Sequence, residues 1–222
     1  MRGAELVHLL KLEAALDLRQ RAAWGGMVLY VASAIYTCHL AMQDGASGSA
    51  WSALFWIILL FAAFNALARS FQREDGGRQL YLHTLAHPRS VVLARTAYNA
   101  VTMLVLSLLS LLFYAVFLGD EPLRAGDPLQ FTVAVALGGI GFASVLTLIS
   151  AIAARAGSGI GLMAILGFPI VLPMLLAVMQ ASRLALSGAP WGTTAPYFLG
   201  ILLIDVVALS LAWLLFPYLW RD

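Results

Sequence analysis

Long apolar runs separated by short polar links follow one another along this 222-residue chain. An α-helix needs about 20 mostly apolar residues to cross the hydrocarbon core of a bilayer, and six runs have close to that length. They cover residues 24–42, 51–68, 97–118, 129–154, 159–179 and 197–219. The pattern predicts an all-α membrane protein, with six transmembrane helices in one transmembrane domain, residues 1–222.

The residues before the first predicted span have a different pattern. Apolar positions at helical spacing form two stripes, one at positions 9, 12 and 16 and another at 7, 10, 14 and 18, with charged side chains between them. Such a pattern is typical of a helix that lies along a membrane surface. We predict a cytoplasmic interfacial helix over residues 1–22 that contacts both lipid and protein. A loosely bound surface anchor is the alternative.

The longest polar segment, residues 69–96, separates the second and third predicted spans. It carries five of the thirteen basic residues and is interrupted by Gly76 and Gly77. A polar segment of this length must face water, and its turn and short-helix signals favour an ordered docking surface over a solvated loop. We call residues 69–96 the coupling segment.

Composition supports a membrane protein. Hydrophobic residues make up 62% of the chain and charged residues 11%, far from the composition of soluble domains. Twelve of the thirteen basic residues are arginines, most of them beside apolar spans, where they anchor helices. We therefore predict no nucleic-acid partner. Cys38 is the only cysteine, which excludes a disulfide framework.

Basic residues also predict the orientation. Eleven of the thirteen fall on one side of the six predicted spans and only Arg124 and Arg183 on the other. Cytoplasmic loops carry the excess of Lys and Arg in membrane proteins. The distribution predicts that both termini and the coupling segment are cytoplasmic.

Two titratable residues in the predicted spans are candidates for chemistry. His39 lies at the outer end of the first span, where it could ligate haem or form an interfacial hydrogen bond, and both interpretations stay open. Asp205 is the only acid well inside a span, and a carboxylate in lipid is a functional candidate because its burial is costly. Its alternative role is as a structural partner of a polar group on a neighbouring helix, such as Asn65, Asn99 or Arg155.

Other kinds of site lack their sequence signals. His83 and His87 are four residues apart but have no third ligand near in sequence, so we predict no metal site. The only lysine, Lys11, follows no glycine-rich turn, and the chain contains no G-x-x-x-x-G-K-[ST] phosphate loop. No Ser/His/Asp set or carboxylate pair lies in the spans. We predict that the chain is not an enzyme.

The fifth predicted span contains Pro169 and Pro173. Each proline removes a helical N–H donor, so we predict that this helix is kinked or interrupted near mid-membrane. Small residues four positions apart, at 134 and 138, 139 and 143, and 157 and 161, predict close helix packing.

Three stretches carry a family resemblance. They are A-L-A-R-S-F-Q-R-E-D-G-G-R-Q-L at 66–80, L-A-H-P-R-S-V-V-L-A-R at 85–95, and the pattern L-x-x-P-x-x-x-P-x-L-L at 166–176. Together with six spans and an N-terminal interfacial helix, they make the chain resemble the membrane subunit of an ABC-2 type transporter. More narrowly, it is similar to the haem exporter protein B family, CcmB, of the cytochrome c maturation system, over nearly its whole length.

This resemblance implies a multi-pass permease subunit in the bacterial inner membrane, without a directly bound cofactor. Two copies of a cytoplasmic ATPase subunit would bind ATP and contact the coupling segment. Its predicted contact residues are Arg73, Glu74, Asp75, Gly76, Gly77, Leu80, Leu82, Leu85 and Pro88. The charged residues would supply complementarity, the glycines a turn, and the leucines a short apolar contact.

The resemblance also implies haem as cargo of the complex, handled by a membrane haem-handling subunit and a periplasmic haem chaperone. ATP hydrolysis would either move haem through this chain or release the loaded chaperone, and we favour release because the spans hold no convincing pair of haem ligands. The chain would form a homodimer or pair with another membrane subunit. The nearest alternative function is an ABC-2 exporter of a lipid, a polysaccharide or a drug.

Overall fold

Only α-helices occur in the part of the chain that the computed structural model describes, which confirms the all-α prediction. The described residues are 3–19, 21–42, 48–68, 87–156 and 159–221. The helices are α1 (Gly3–Arg19), α2 (Arg21–Ala41), α3 (Gly48–Leu67), α4 (Pro88–Leu118), α5 (Glu121–Ala125), α6 (Pro128–Arg155), α7 (Gly159–Leu186) and α8 (Trp191–Arg221).

Five of these helices, α3, α4, α6, α7 and α8, are long and apolar enough to cross a membrane. They correspond to the second to sixth predicted spans. Helix α2 coincides with the first predicted span, but it is not among the five. It contains Gly25 and Gly26 together with Ser33 and Thr37, whose hydroxyls donate to backbone carbonyls of the same helix. These residues lower its hydropathy, so the sixth span remains a prediction.

The third predicted span is longer in the structure than in the sequence pattern. The pattern places its start at residue 97, whereas α4 begins at Pro88, so residues 88–96 of the coupling segment are helical. Proline suits the first turn of a helix because its fixed φ is already helical. The sequence pattern missed this extension because Arg89 and Arg95 are charged. In the structure both arginines have their partners on other helices.

Helix α6 lies at the centre of the bundle and contacts α3, α4, α7 and α8. Small residues permit this close packing: a Cβ atom on Gly138 would lie 2.5 Å from the Trp56 ring of α3, and one on Gly139 would lie 2.6 Å from the Ser107 hydroxyl of α4. The close packing predicted at positions 134, 138, 139 and 143 is confirmed, because all four are buried. It is not observed at Gly161, where a Cβ atom would meet nothing within 4 Å. Residue 157 lies outside the described residues.

Aromatic rings fill the core at one end of the bundle, where α3 and α6 begin and α4 ends. Trp51 and Tyr114 make an edge contact with ring centroids 4.7 Å apart; the ring of Phe131 packs against Trp51 and that of Phe55 against Tyr114. The Tyr114 hydroxyl donates to the Trp51 carbonyl oxygen at 2.8 Å. These contacts fix the relative position of the three helices at this end.

Gly126, in the link between α5 and α6, lies against the backbone at the end of α7. A Cβ atom on Gly126 would lie 2.3 Å from the Ala185 carbonyl oxygen, which accepts a hydrogen bond from the Asp127 N–H, and 2.7 Å from the Leu186 Cα atom. These are backbone atoms, so only a shift of the α7 C-terminus could relieve the clash. We expect Gly126→Ala to lower the free energy of unfolding by about 3 kcal/mol, measured by thermal unfolding in detergent.

Gly192→Ala is the matched control, because a Cβ atom there would meet nothing within 4 Å. Gly192 lies in the first turn of α8, where alanine fits a helix at least as well as glycine. Equal losses of stability in the two variants would contradict the role assigned to Gly126.

Candidate functional site

An ion pair joins α1 to the beginning of α4. Both Nη2 and Nε of Arg95 donate to Oε1 of Glu13, at 3.0 and 3.3 Å. The Arg95 side chain is 3% exposed and that of Glu13 21% exposed. Because the arginine is almost fully buried, leaving its charge without the carboxylate would cost far more free energy than for a surface arginine.

A second bond joins α1 to the residue immediately before α4. The backbone N–H of His87 donates to Oε1 of Glu5 at 3.0 Å. His87 precedes Pro88, so α1 is bonded to the chain where the helical part of the coupling segment begins. We call the set Glu5, Glu13, His87 and Arg95 the α1–α4 joint.

The joint continues into the bundle through a small apolar core. Its fully buried members come from α4, α6 and α8, and Leu9 of α1 packs against them. They are Val91, Val92, Leu148, Ala151, Ala212 and Phe216. Two turns further along α4, the side-chain amide of Asn99 donates to the Thr147 hydroxyl of α6 at 2.8 Å, and both residues are buried. A movement at the start of α4 therefore has a direct packing route to the central helix.

Most of the predicted ATPase contacts fall in the part of the chain without a structural description. Arg73, Glu74, Asp75, Gly76, Gly77, Leu80, Leu82 and Leu85 lie outside the described residues. Pro88 is the exception, and it is the first residue of α4, half-buried beside the α1–α4 joint. Its role in ATPase contact stays a prediction.

Asp205 lies in α8 at the junction with α6 and α7. The side chain is 8% exposed, and its Oδ1 atom is buried without a hydrogen-bond partner in the described residues. A Cβ atom on Gly141 of α6 would lie 2.7 Å from Oδ1, and Met174 of α7 fills the adjacent space. The predicted structural partnership with Asn65, Asn99 or Arg155 stays a prediction. The amide of Asn65 donates to the Phe61 carbonyl oxygen and that of Asn99 to the Thr147 hydroxyl.

His39 is exposed in the last turn of α2, beside the end of α4. Its ring centroid is 6.4 Å from that of Tyr36 and 6.3 Å from that of Phe117. Within the described residues, no three His, Cys, Asp or Glu side chains converge as a metal site would require. Both alternatives for His39, haem ligation and an interfacial hydrogen bond, stay predictions.

Helix α7 runs without interruption through Pro169 and Pro173. Both prolines are exposed, as is Phe168, which stacks on Phe64 of α3 with ring centroids 5.0 Å apart. The interruption predicted from sequence is therefore not observed, and a kink stays a prediction.

The sequence pattern missed the pairing of Glu5 and Glu13 with the start of α4. Both acids were visible only as the polar face of an amphipathic helix. Their role in holding α1 to α4 follows from contacts with residues 82 positions away in the chain. The one local signal was Arg95 itself, a charge that precedes an apolar run by two residues.

Five long apolar helices with α6 at their centre, and an N-terminal helix bonded to the start of a span, define a multi-pass α-helical membrane protein. The family follows from the sequence: the model of the CcmB protein family matches residues 4–216. The chain belongs to the CcmB family, which confirms the resemblance noted above. No curated protein matches it significantly. Membership indicates a permease component of a haem-exporter ABC transporter in the bacterial inner membrane, associated with cytochrome c biogenesis.

Proposed function

We propose that this chain couples ATP hydrolysis by a partner subunit to haem delivery in c-type cytochrome biogenesis. Two ATPase subunits bind the coupling segment from the cytoplasm, and their closure moves it. The movement releases the haem-loaded periplasmic chaperone, with the membrane haem-handling subunit beside this chain. We favour release over passage of haem through the bundle because the spans offer no convincing pair of haem ligands.

The α1–α4 joint is the observation that carries this proposal. A force applied to residues 69–86 of the coupling segment reaches α4 through His87 and Pro88, where the helix begins. Glu5 and Glu13 bond α1 to that point, so α1 and the first turns of α4 move as one unit. The bond between Asn99 and Thr147, together with the apolar core around it, passes the motion to α6.

The course of α2 supports a sixth span. Helix α1 packs at the end of the bundle where α4 begins, whereas α3 begins beside α5, where a Cβ atom on Gly48 would lie 4.0 Å from Pro122. Helix α2 connects these two ends and brings His39 beside Phe117 near the end of α4. We infer that α2 crosses the membrane despite its lower hydropathy.

An even number of spans places both termini on one side. Leu9 near the N-terminus and Phe216 near the C-terminus pack in the same apolar core, which supports that arrangement. The eleven-to-two division of basic residues then assigns this side to the cytoplasm.

Charge reversal in the coupling segment tests the proposal. We expect the purified chain alone to show no ATPase activity, because the nucleotide sites belong to the partner. Glu74→Lys with Asp75→Lys should lower the amount of ATPase that co-purifies with the chain at least about tenfold, since like charges across an interface are strongly unfavourable. Phosphate release measures the ATPase activity, and immunoblots of membranes and of the affinity-purified complex measure the amounts of the chain and of the ATPase.

The matched control reverses two acids at the opposite end of the bundle, Asp120→Lys with Glu121→Lys. These residues lie at the start of α5 and are not buried. The control should leave ATPase binding unchanged, and both double variants should reach normal levels in the membrane. Undiminished ATPase binding by the coupling-segment variant would refute docking at these residues.

A further inference from the structure

A groove with a volume of about 430 Å³ opens on the side of the bundle, between the beginning of α4 and the last third of α8. This volume is within the range of small-ligand sites. Its lining residues are Leu93, Leu209, Ser210, Trp213 and Leu214. Four of the five are apolar, and the three apolar residues from α8 are exposed. The groove therefore faces the surroundings of the helix bundle and is suited to an apolar chain.

A cation lies against one wall of this groove. The guanidinium carbon of Arg89 is 4.1 Å from the centroid of the Trp213 ring, a distance typical of a cation–π contact. The Nε atom of Arg89 is buried and has no hydrogen-bond partner in the described part of the chain. A buried donor without an acceptor is unfavourable, so Arg89 is suited to an anionic ligand that reaches this wall.

The two acids whose side chains are described at this end of the bundle already have partners. Glu13 pairs with Arg95, and Glu5 accepts from the His87 N–H. Arg89 is the second residue of a helix long enough to span a membrane, which predicts a position at the level of the lipid headgroups, where tryptophan is enriched. An apolar groove next to a positive charge at headgroup depth is complementary in shape and charge to an anionic lipid.

We propose that this groove binds one anionic phospholipid, with its phosphate on Arg89 and an acyl chain along Leu93, Leu209 and Leu214. The phosphate oxygens accept from the guanidinium, which stays stacked on Trp213. The lipid fills the space between α4 and α8 at the level of the α1–α4 joint. This site is independent of the cargo of the transporter, because it requires only the bilayer.

Native mass spectrometry of the purified full-length chain tests the site. The probes are dioleoylphosphatidylglycerol and dioleoylphosphatidylcholine, added separately to delipidated protein. We expect the wild-type chain to retain one phosphatidylglycerol in preference to phosphatidylcholine. Arg89→Gln should weaken retention of phosphatidylglycerol about tenfold, because charge-assisted hydrogen bonds to the phosphate are lost, and should leave phosphatidylcholine unaffected.

Two further variants make the result specific. Ser210→Phe fills the groove and keeps Arg89, so it should reduce phosphatidylglycerol retention as well. Arg183→Gln removes an exposed arginine near the end of α7 and should change nothing. The proposal is overturned if Arg89→Gln or Ser210→Phe retains phosphatidylglycerol like the wild type, if Arg183→Gln has the same effect as Arg89→Gln, or if the wild type retains both lipids equally.

Discussion

Cells that lack this chain are expected to lose covalent haem attachment to c-type cytochromes almost completely. In the proposed mechanism this chain carries the movement of the cytoplasmic ATPase to the haem chaperone, so without it ATP hydrolysis is not coupled to events at the outer face of the membrane. The b-type cytochromes bind haem without covalent attachment and should keep normal levels. Haem-stained gels and difference spectra of membranes from deletion and wild-type strains measure the two classes separately.

The deletion also separates the alternatives. If hydrolysis releases the loaded chaperone, haem-loaded chaperone should accumulate in the deletion strain, and a plasmid copy of the gene should reverse both effects. Chaperone without haem would place the chain before the loading step. Normal levels of c-type cytochromes would contradict a role in cytochrome maturation and would favour an ABC-2 exporter of a lipid, a polysaccharide or a drug.

Charge reversal in the α1–α4 joint is expected to have the second largest effect. Arg95→Glu alone would place two carboxylates at a buried contact, and Glu13→Arg alone would do the same with two guanidinium groups. Breaking a buried ion pair costs about 3–5 kcal/mol, enough to release α1 from α4. Each single variant, expressed in the deletion strain, should therefore mature at least about tenfold less cytochrome c.

The double variant, Glu13→Arg with Arg95→Glu, restores opposite charges and should recover much of the lost cytochrome c. The control is Asp120→Arg with Arg124→Asp, tested singly and together. That pair is also bonded, at 2.8 Å, but its side chains are 42% and 78% exposed, and exposed pairs contribute little. A double reversal in the joint that is no better than the single variants would argue against the pair as the link between α1 and α4.

Much of the fold was predictable because the bilayer constrains sequence strongly. Each span must be a continuous apolar run, so the positions of five spans follow from hydrophobicity alone. Close packing at Gly138 and Gly139 was also predictable, since small residues four apart form a flat surface on one helix face. The beginning of α4 was not predictable, because Arg89 and Arg95 look like residues of a solvated loop.

The sequence by itself determined the membrane class of this protein, its family and the close packing at the small residues of α6, because these depend on composition, motifs and spacing within one helix. The tertiary structure alone decided which groups contact the charged side chains of α4. Arg95 is buried because Glu13 of another helix neutralises it, and Arg89 is held by the Trp213 ring across the groove. Such partners are 82 or more positions apart in the chain, and no local pattern records which helices the fold will bring together.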